Sequence, residues 1–216
     1  MRTRHLRDEL ALAGHTVSRA GLVVGSGGNL SARDPGSQEC WVTAAGTFLD
    51  RLDRDDFVPV HLDAPANADP APVAGPAPAQ ASSEVALHVA TYRVRPDVNA
   101  VIHLHPQVVV MLDALGERIR LITTDHSFYV GRVATTPFHP PGTSELAAVA
   151  AEAVSDGTNC VVLAHHGCSV VGETVDMALR RAMNLEEAAR LTYRALLLTG
   201  GIGPRPVPDC PSIDSI

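Results

Sequence analysis

The sequence contains no lysine, and all 17 of its basic side chains are arginines. A Schiff-base mechanism needs a lysine amine, so covalent catalysis of that kind is excluded. A P-loop is excluded as well, because its lysine contacts the nucleotide phosphates. Any chemistry on carbonyl or phosphate groups must therefore use other side chains or a metal ion.

Charge is sparse, and no hydrophobic run is long. Charged residues make up 19% of the 216 residues, and the net charge of −7 argues against duplex nucleic-acid binding, which needs basic residues against the phosphates. No apolar run approaches the length of a membrane span, and residues 1–7 lack the apolar core of a signal peptide. We therefore expect a cytoplasmic protein with no nucleic-acid or membrane partner.

Two histidines lie two residues apart at the end of an apolar, β-branched run. Residues 98–105 predict a buried strand, because Pro106 cannot continue a central ladder. Side chains two apart on a strand point to the same face, so His103 and His105 can share one metal ion. The alternative is that the two polar residues simply end a strand.

A third metal ligand is available after the apolar run at residues 160–164. A catalytic Zn²⁺ usually takes three protein ligands, and either His165 or His166 could supply the last one. Cys168 could also face such a metal, although buried thiols usually fill a core. The four cysteines show no paired metal or redox spacing, and an intracellular protein keeps such thiols reduced.

Two short polar segments could bind an anion. In the glycine-rich passage, Gly27 and Gly28 have no Cβ, so an anion could approach their backbone N–H groups. Ser82 and Ser83 offer hydroxyl groups, and Glu84 would lie in the first turn of a helix. The alternatives are an ordinary glycine turn and a serine N-cap followed by an acidic residue that suits the helix dipole.

The order of predicted elements is a helix, several strands, and then helices interleaved with strands. This order predicts an α/β sandwich with a mixed, mainly antiparallel central sheet, in one domain over residues 1–216. Residues 63–81 are rich in Pro and Ala and predict a surface loop, and the tail after residue 200 is Pro-rich and predicted to be loose. The last long helix is predicted over residues 175–199, with a charged face that is solvated or directed towards another subunit.

Six blocks in the same order resemble the class II aldolase/adducin family, and within it most closely the branch of L-fuculose-phosphate aldolases. The resemblance covers about residues 6–199, and its blocks are Gly28-Asn29-Leu30-Ser31-Ala32-Arg33, Val42-Thr43-Ala44-Ala45-Gly46, Ser82-Ser83-Glu84 with His88, the segment 95–105, Gly142-Thr143-Ser144-Glu145-Leu146 and His165-His166-Gly167. It implies a three-layer α/β/α fold and a homotetramer with sites between neighbouring subunits. It also implies a divalent metal, usually Zn²⁺, with Mn²⁺ or Co²⁺ as alternatives.

The resemblance also implies a role for each matching residue. His103, His105 and His166 would be the metal ligands, with His165 pointing to the opposite side. Glu84 would be the catalytic acid/base. The substrate phosphate would lie against Gly28, Asn29, Gly46, Ser82 and Ser83. Ala45 stands where the aldolases usually carry a hydroxyl, and the tail has no Tyr on the aldehyde side.

The function expected from this resemblance is a metal-dependent aldolase. It would cleave or form a ketose 1-phosphate, such as L-fuculose 1-phosphate or a 5-deoxypentulose 1-phosphate, to give dihydroxyacetone phosphate and a small aldehyde through a metal-stabilised enediolate. A decarboxylase, a dehydratase and a pentulose-phosphate 4-epimerase on the same metal are the alternatives. The epimerases carry Asp where Glu84 stands and an acidic residue at Ser127, which favours the aldolase. A non-enzymatic adducin-like module is a further alternative.

Overall fold

A seven-stranded sheet forms the centre of the computed structural model, which describes residues 5–63 and 80–208. Within that part of the chain the strand order is β3-β2-β1-β4-β7-β6-β5. Only β5 and β6 pair in parallel, so the sheet is mixed and mainly antiparallel, as predicted. The strands are β1 (Asn29–Ala32), β2 (Glu39–Thr43), β3 (Phe57–His61), β4 (Ala100–Leu104), β5 (Val133–Thr136), β6 (Cys160–Leu163) and β7 (Gly167–Gly172).

Helices cover both faces of the sheet and complete a three-layer α/β/α sandwich. The helices are α1 (Leu6–Arg19), α2 (Val85–Val94), α3 (Gln107–Ala114), α4 (Ser144–Val154) and α5 (Val175–Thr199). One buried cluster joins α1, α3 and α5 to the sheet, and a second joins α2 and α4 to its opposite face. The expected fold class is confirmed.

The central strand β4 shows why the two faces differ. All five of its residues are buried, and their side chains alternate between the layers. Ile102 and Leu104 pack with α1, α3 and α5, whereas Val101 packs with α2 and α4. By the same alternation His103 and His105 project towards α2, so the ligand candidates face the helical layer formed by α2 and α4.

The apolar stripe of α5 is buried as its spacing predicts, with Ala178, Ala182 and Leu185 inaccessible to solvent. Two charged residues at the edges of the same stripe, Arg181 and Glu186, are buried as well. Arg181 donates to the carbonyl oxygens of Val171 and Tyr129. Glu186 accepts the N–H groups of Val108 and Val109, which lie in the first turn of α3.

Some predicted boundaries differ from the structure. The helix predicted from Ser83 begins at Val85, and its N-cap is Glu84, which makes no side-chain capping bond. The Ser82 hydroxyl instead accepts the N–H of Glu84 in the preceding turn, so neither serine caps the helix. A π-helical turn at His126–Val130 was not predicted.

Most of the Pro/Ala-rich segment and the end of the tail, residues 64–79 and 209–216, lie outside the described residues. Where the description resumes, the Gln80 carbonyl accepts the N–H of Ala45, and Val207 in the tail donates to the carbonyl of Leu121. No helix in residues 5–63 or 80–208 combines the length and the apolar composition needed to cross a bilayer.

Candidate active site

Three histidine rings meet at the end of β4. His103 is the fourth residue of the strand, His105 follows its last residue, and His166 lies in the turn between β6 and β7. The ring centroids are 4.9 Å apart for His103 and His105, 4.8 Å for His103 and His166, and 4.9 Å for His105 and His166. The three imidazoles therefore form a nearly equilateral triangle, although about 60 residues of chain separate the first two from the third.

The β6–β7 turn decides which histidine joins the cluster. His165 has a φ of +56°, the only positive φ outside glycine among the described residues. Its N–H donates to the Asp113 carboxylate at 2.7 Å, which holds this uncommon conformation. His165 is exposed and its ring lies against Phe138, whereas His166 turns inward.

Gly167 and Gly28 allow the backbone to come close to the ligand-bearing strand. A Cβ on Gly167 would overlap the carbonyl oxygen of Leu104 and lie 2.8 Å from Cδ2 of His105. A Cβ on Gly28, where φ is +76°, would lie 2.7 Å from the carbonyl oxygen of His103. A side chain at either position would displace the strand that carries the histidines, and this is the physical reason that glycine occupies both positions.

The Glu84 carboxylate reaches the same point from the N-terminus of α2. Its Oε2 lies 2.9 Å from Nε2 of His103, and its Oε1 lies 3.5 Å from Nε2 of His166. Ligand atoms of Glu84, His103, His105 and His166 all lie within 4.8 Å of one another. The turn at Ser82–Glu84 thus delivers a carboxylate to the three imidazoles.

Charge and burial set the protonation states of this cluster. Burial would raise the pKa of Glu84, but the hydrogen bond and charge of His103 and the charge of His166 outweigh it and lower the pKa to about 2. Burial, with the charges of His103 and His166, lowers the pKa of His105 to about 4. Burial and the His103 charge also lower the pKa of His166. At neutral pH the carboxylate is ionised, and His105 and His166 are neutral, the form that binds a metal.

The donor set fits a divalent metal ion. His103 Nδ1 donates to the carbonyl of Cys168 at 3.0 Å, so Nε2 is the nitrogen that faces the cluster, and a metal ion that displaced its proton would meet the lone pair there. Nε2 of His103 and Nε2 of His105 are 3.0 Å apart, close to the ~3.3 Å that two nitrogens around a tetrahedral zinc ion would show. Glu84 Oε1 is buried without a hydrogen-bond partner among the described residues. Several acceptors therefore converge where a cation would satisfy them.

Cys168 does not face this cluster. Its side chain belongs to the core on the opposite side of the sheet, with α1, α3 and α5, and burial raises the pKa of its thiol. The suggestion that its thiol could share the metal is wrong, because alternation along β7 turns it to the other face. Its backbone carbonyl supports His103 instead.

A cavity of about 280 Å³ opens beside the four ligand candidates. Its wall contains every residue that the family resemblance assigned to a phosphate, namely Gly28, Asn29, Gly46, Ser82 and Ser83, together with Glu84 and His105. No arginine of the described chain lines it, so an anion there would meet backbone N–H groups, hydroxyl groups and the helix dipole. A larger cavity of about 550 Å³ lies between α3 and β5, and none of the candidate site residues lines it.

Sequence reasoning missed the buried polar residues beneath Glu84. His88 stands in one of the matching blocks, but nothing in that block indicated a role for it. In the structure its Nε2 lies 2.5 Å from Oδ1 of Asn29, and Asn29 donates to Glu84 at 3.1 Å. The signal available in the sequence was the four-residue spacing of Glu84 and His88, which places both side chains on one face of a helix.

Comparison with known proteins identifies the family of this chain. The sequence pattern of the Class II Aldolase and Adducin N-terminal domain family matches residues 8–193, most of the chain. The chain belongs to the class II aldolase/adducin family. The predicted family membership is confirmed, and the blocks that carried it include the histidines and Glu84 described above.

Three similar class II aldolase/adducin proteins indicate the range of chemistry. An L-fuculose phosphate aldolase of Methanococcus maripaludis is 30% identical over 83% of this chain and 91% of that protein. A 3-oxo-tetronate 4-phosphate decarboxylase of Escherichia coli is 33% identical over 87% of this chain and 86% of that protein. The solved structure of an L-fuculose 1-phosphate aldolase superposes with a TM-score of 0.80 at 26% identity, covering 97% of this chain and 93% of that one.

Proposed function

We propose that this protein is a metal-dependent aldolase that forms or cleaves a ketose 1-phosphate, such as L-fuculose 1-phosphate or a 5-deoxypentulose 1-phosphate. The products of cleavage are dihydroxyacetone phosphate and a small aldehyde. The observation that carries the proposal is one ionised carboxylate and three imidazoles within 4.8 Å, beside a cavity whose described wall has no arginine. The resemblance to L-fuculose phosphate aldolases supports the same class of substrate.

In this proposal His103, His105 and His166 hold the metal, with Zn²⁺ as the first choice and Mn²⁺ or Co²⁺ as alternatives. The metal supplies a Lewis acid for the negative charge that develops on the substrate when the carbon–carbon bond breaks. His103 is held for this task by the Cys168 carbonyl, and His166 by the turn that Asp113 stabilises.

Glu84 moves the proton. In the condensation direction its carboxylate takes one proton from the hydroxymethyl carbon of dihydroxyacetone phosphate, and in cleavage it returns that proton to the same carbon. With a pKa lowered to about 2, Glu84 is ionised at neutral pH and is ready to accept the proton. Its oxygen Oε1 is buried and lacks a hydrogen-bond partner among the described residues.

The phosphate binds in the cavity between the glycine turns and the two serines. Gly28 and Gly46 both have φ of +76°, a conformation that presents backbone N–H groups without a Cβ in the way. Ser82, Ser83 and Glu84 line the same cavity. A phosphate held there lies at the N-terminus of α2, where the helix dipole favours an anion.

Decarboxylation is the second candidate, favoured by the 33% identity to a 3-oxo-tetronate 4-phosphate decarboxylase. Loss of CO₂ from a 3-oxo-tetronate 4-phosphate leaves the same three-carbon enediolate, and protonation of that carbon gives dihydroxyacetone phosphate. Both candidates therefore share one proton transfer at Glu84. They differ only in the group that leaves.

Epimerase, dehydratase and adducin-like roles have less support. An epimerase would have Asp at Glu84 and an acidic side chain at Ser127. A dehydratase would use the same metal. An adducin-like module without activity would not need a buried carboxylate beside three histidines. We further propose one domain over residues 1–216, a cytoplasmic location and a homotetramer with sites between subunits.

The first experiment measures the shared step. Zinc-loaded protein is incubated with dihydroxyacetone phosphate in D₂O, and loss of the hydroxymethyl proton signal is followed by NMR. Because one carboxylate approaches from one side, we expect exchange of one of the two hydrogens. Exchange that fails with metal bound, together with no turnover of aldehydes or of 3-oxo-tetronate 4-phosphate, would contradict both candidates.

Glu84→Gln tests the assigned role. It should keep the zinc and lose exchange by about 100-fold or more, the usual size of a general-base contribution. Glu187→Gln is the matched control, because the Glu187 side chain is 62% exposed and lies against His126, outside the ligand cluster. Addition of short aldehydes, or of 3-oxo-tetronate 4-phosphate, then distinguishes the aldolase from the decarboxylase.

A further inference from the structure

Five buried polar groups form one continuous row of hydrogen bonds between α2 and β1. The Tyr92 hydroxyl lies 2.8 Å from the Ser31 hydroxyl, which lies 2.6 Å from Nδ1 of His88. Nε2 of His88 lies 2.5 Å from Oδ1 of Asn29, and Nδ2 of Asn29 lies 3.1 Å from Oε2 of Glu84. All five side chains are buried, with at most 6% of any residue exposed.

The row follows from the geometry of the two elements. Glu84, His88 and Tyr92 are four residues apart, which is about 6 Å along a helix. Asn29 and Ser31 are two residues apart, which is about 6.7 Å along a strand, and both point to the α2 side. Since the two repeats nearly match, helix and strand side chains alternate along the row.

The hydrogen bonds in this row can run in only one direction while Glu84 is ionised. A carboxylate only accepts, so Asn29 must present Nδ2–H to Glu84 and its carbonyl oxygen to His88. A carbonyl oxygen also only accepts, so Nε2 of His88 must carry the proton. Neutral imidazole then accepts at Nδ1, which makes the Ser31 hydroxyl the donor there.

The last bond completes the direction, because the Ser31 oxygen accepts from the Tyr92 hydroxyl. Burial lowers the pKa of His88 to about 3 and raises that of Tyr92, so both remain neutral at physiological pH. Every donor in the row thus has an acceptor. Reversing the Asn29 amide would place two oxygens against each other at Glu84 and two N–H groups against each other at His88.

We propose that His88 is a positioning residue, which fixes the Asn29 amide so that Glu84 Oε2 is held and Oε1 remains the oxygen that exchanges the substrate proton. The inference rests on the proposed function for the role of Glu84. The asymmetry of the carboxylate carries it: Oε2 has the Asn29 donor, and Oε1 has no hydrogen-bond partner among the described residues. Without the N–H of His88, the amide of Asn29 could rotate and lose its hydrogen bond to Oε2 of Glu84.

The direction of the row can be measured without any activity. Zinc-loaded protein labelled with ¹⁵N-histidine gives a two-bond ¹H–¹⁵N spectrum in which each ring nitrogen shows whether it carries a proton. We expect His88 to be neutral with the proton on Nε2, its signals being those that disappear in His88→Gln. A proton on Nδ1 at neutral pH would overturn the proposal, whether or not the protein is an aldolase.

Kinetics of dihydroxyacetone phosphate exchange tests the consequence. His88→Asn is too short to reach Asn29 and should lower kcat about 10- to 100-fold, as loss of an outer partner does, with KM and bound zinc unchanged. His88→Gln places an amide N–H near the position of Nε2 and should recover most of that loss. Thr91→Val is the control, because it removes a buried hydroxyl of α2 that donates to the Leu87 carbonyl and takes no part in the row.

The outcomes separate the two proposals. Exchange by the unaltered holoenzyme, with His88→Asn equally active, would overturn the positioning role and leave the aldolase proposal standing. No exchange by the unaltered holoenzyme would contradict the proposed proton transfer, while the ¹⁵N spectrum would still decide the direction of the row. If His88→Asn does not fold, Ser31→Ala is the substitute, because it removes the donor at Nδ1 and leaves the Nε2–H bond to Asn29 in place. His88 should then keep its proton on Nε2 and kcat should be retained. A proton that moves to Nδ1 while kcat is unchanged would contradict the proposal.

Discussion

Gly167→Ala should damage the metal centre through a single methyl group. The new Cβ would overlap the carbonyl oxygen of Leu104 and lie 2.8 Å from Cδ2 of His105, where carbon atoms normally stay about 3.5–4.0 Å apart. The β4–β7 pair must therefore open by most of an ångström at the point where Leu104 faces Cys168. Gly167 has no positive φ, so the whole cost is steric.

The size of the effect follows from this overlap. Extra carbon atoms in packed interiors cost about 1–3 kcal/mol and occasionally more, and we expect about 3 kcal/mol here because backbone lies on the other side. His105 must shift with β4, so zinc affinity should fall about 10- to 100-fold, as it does when the support of a ligand is lost.

Urea unfolding of the metal-free protein measures the first quantity, and competition with a zinc chelator measures the second. Gly203→Ala is the matched control, since its φ is not in the positive range either and its Cβ would meet only the flexible Arg120 side chain at 3.5 Å. The control should change stability by less than about 0.5 kcal/mol. Equal stability and equal zinc affinity in Gly167→Ala and the control would refute the steric reasoning.

Two further predictions concern the histidines. His166→Ala should abolish stoichiometric zinc binding, measured by metal analysis after dialysis, and retained zinc would contradict the ligand set. The control, His165→Asn, should retain zinc, because Asn tolerates the left-handed conformation at φ +56° and His165 lies outside the cluster. The pKa of His88, lowered from 6.5 to about 3, means that the unfolded chain binds a proton there before the folded one does. The free energy of unfolding should therefore fall as the pH drops below 6.5, by up to about 1.4 kcal/mol per pH unit from this group. His88→Gln lacks this titration, so the difference in free energy of unfolding between the two proteins, measured with urea, should decrease at the same rate. Parallel pH profiles of the two proteins would contradict the neutral, buried state of His88.

Local patterns were enough for features that lie within one element. A period of two residues placed His103 and His105 on one face of β4, and a helical period placed Ala178 and Ala182 in the core. The six sequence blocks, taken together and in order, identified the family. Spacing alone left His165 and His166 equivalent, and only the family resemblance selected His166.

The partners of a buried charge could not be read from such patterns. Arg181 lies three residues after Ala178 and Glu186 four after Ala182, so both fall at the edges of the buried stripe of α5, and each is 1% exposed. Arg181 is accommodated because the carbonyls of Val171 and Tyr129 accept from it, and Glu186 because the first N–H groups of α3 donate to it. Those partners are distant in sequence, so the residues next to Arg181 and Glu186 do not predict which groups will compensate the buried charges.

Residue type and spacing alone determined on which face of its strand or helix each side chain lies. They also excluded lysine chemistry and identified the family. Tertiary packing determines which distant groups meet: the sheet order places β1 and β7 beside β4, and a left-handed residue turns His166 inward. It also makes Glu84, His88 and Tyr92 interleave with Asn29 and Ser31. Periodicity fixes where a side chain points, but distances between elements depend on how the whole sheet and its helices pack.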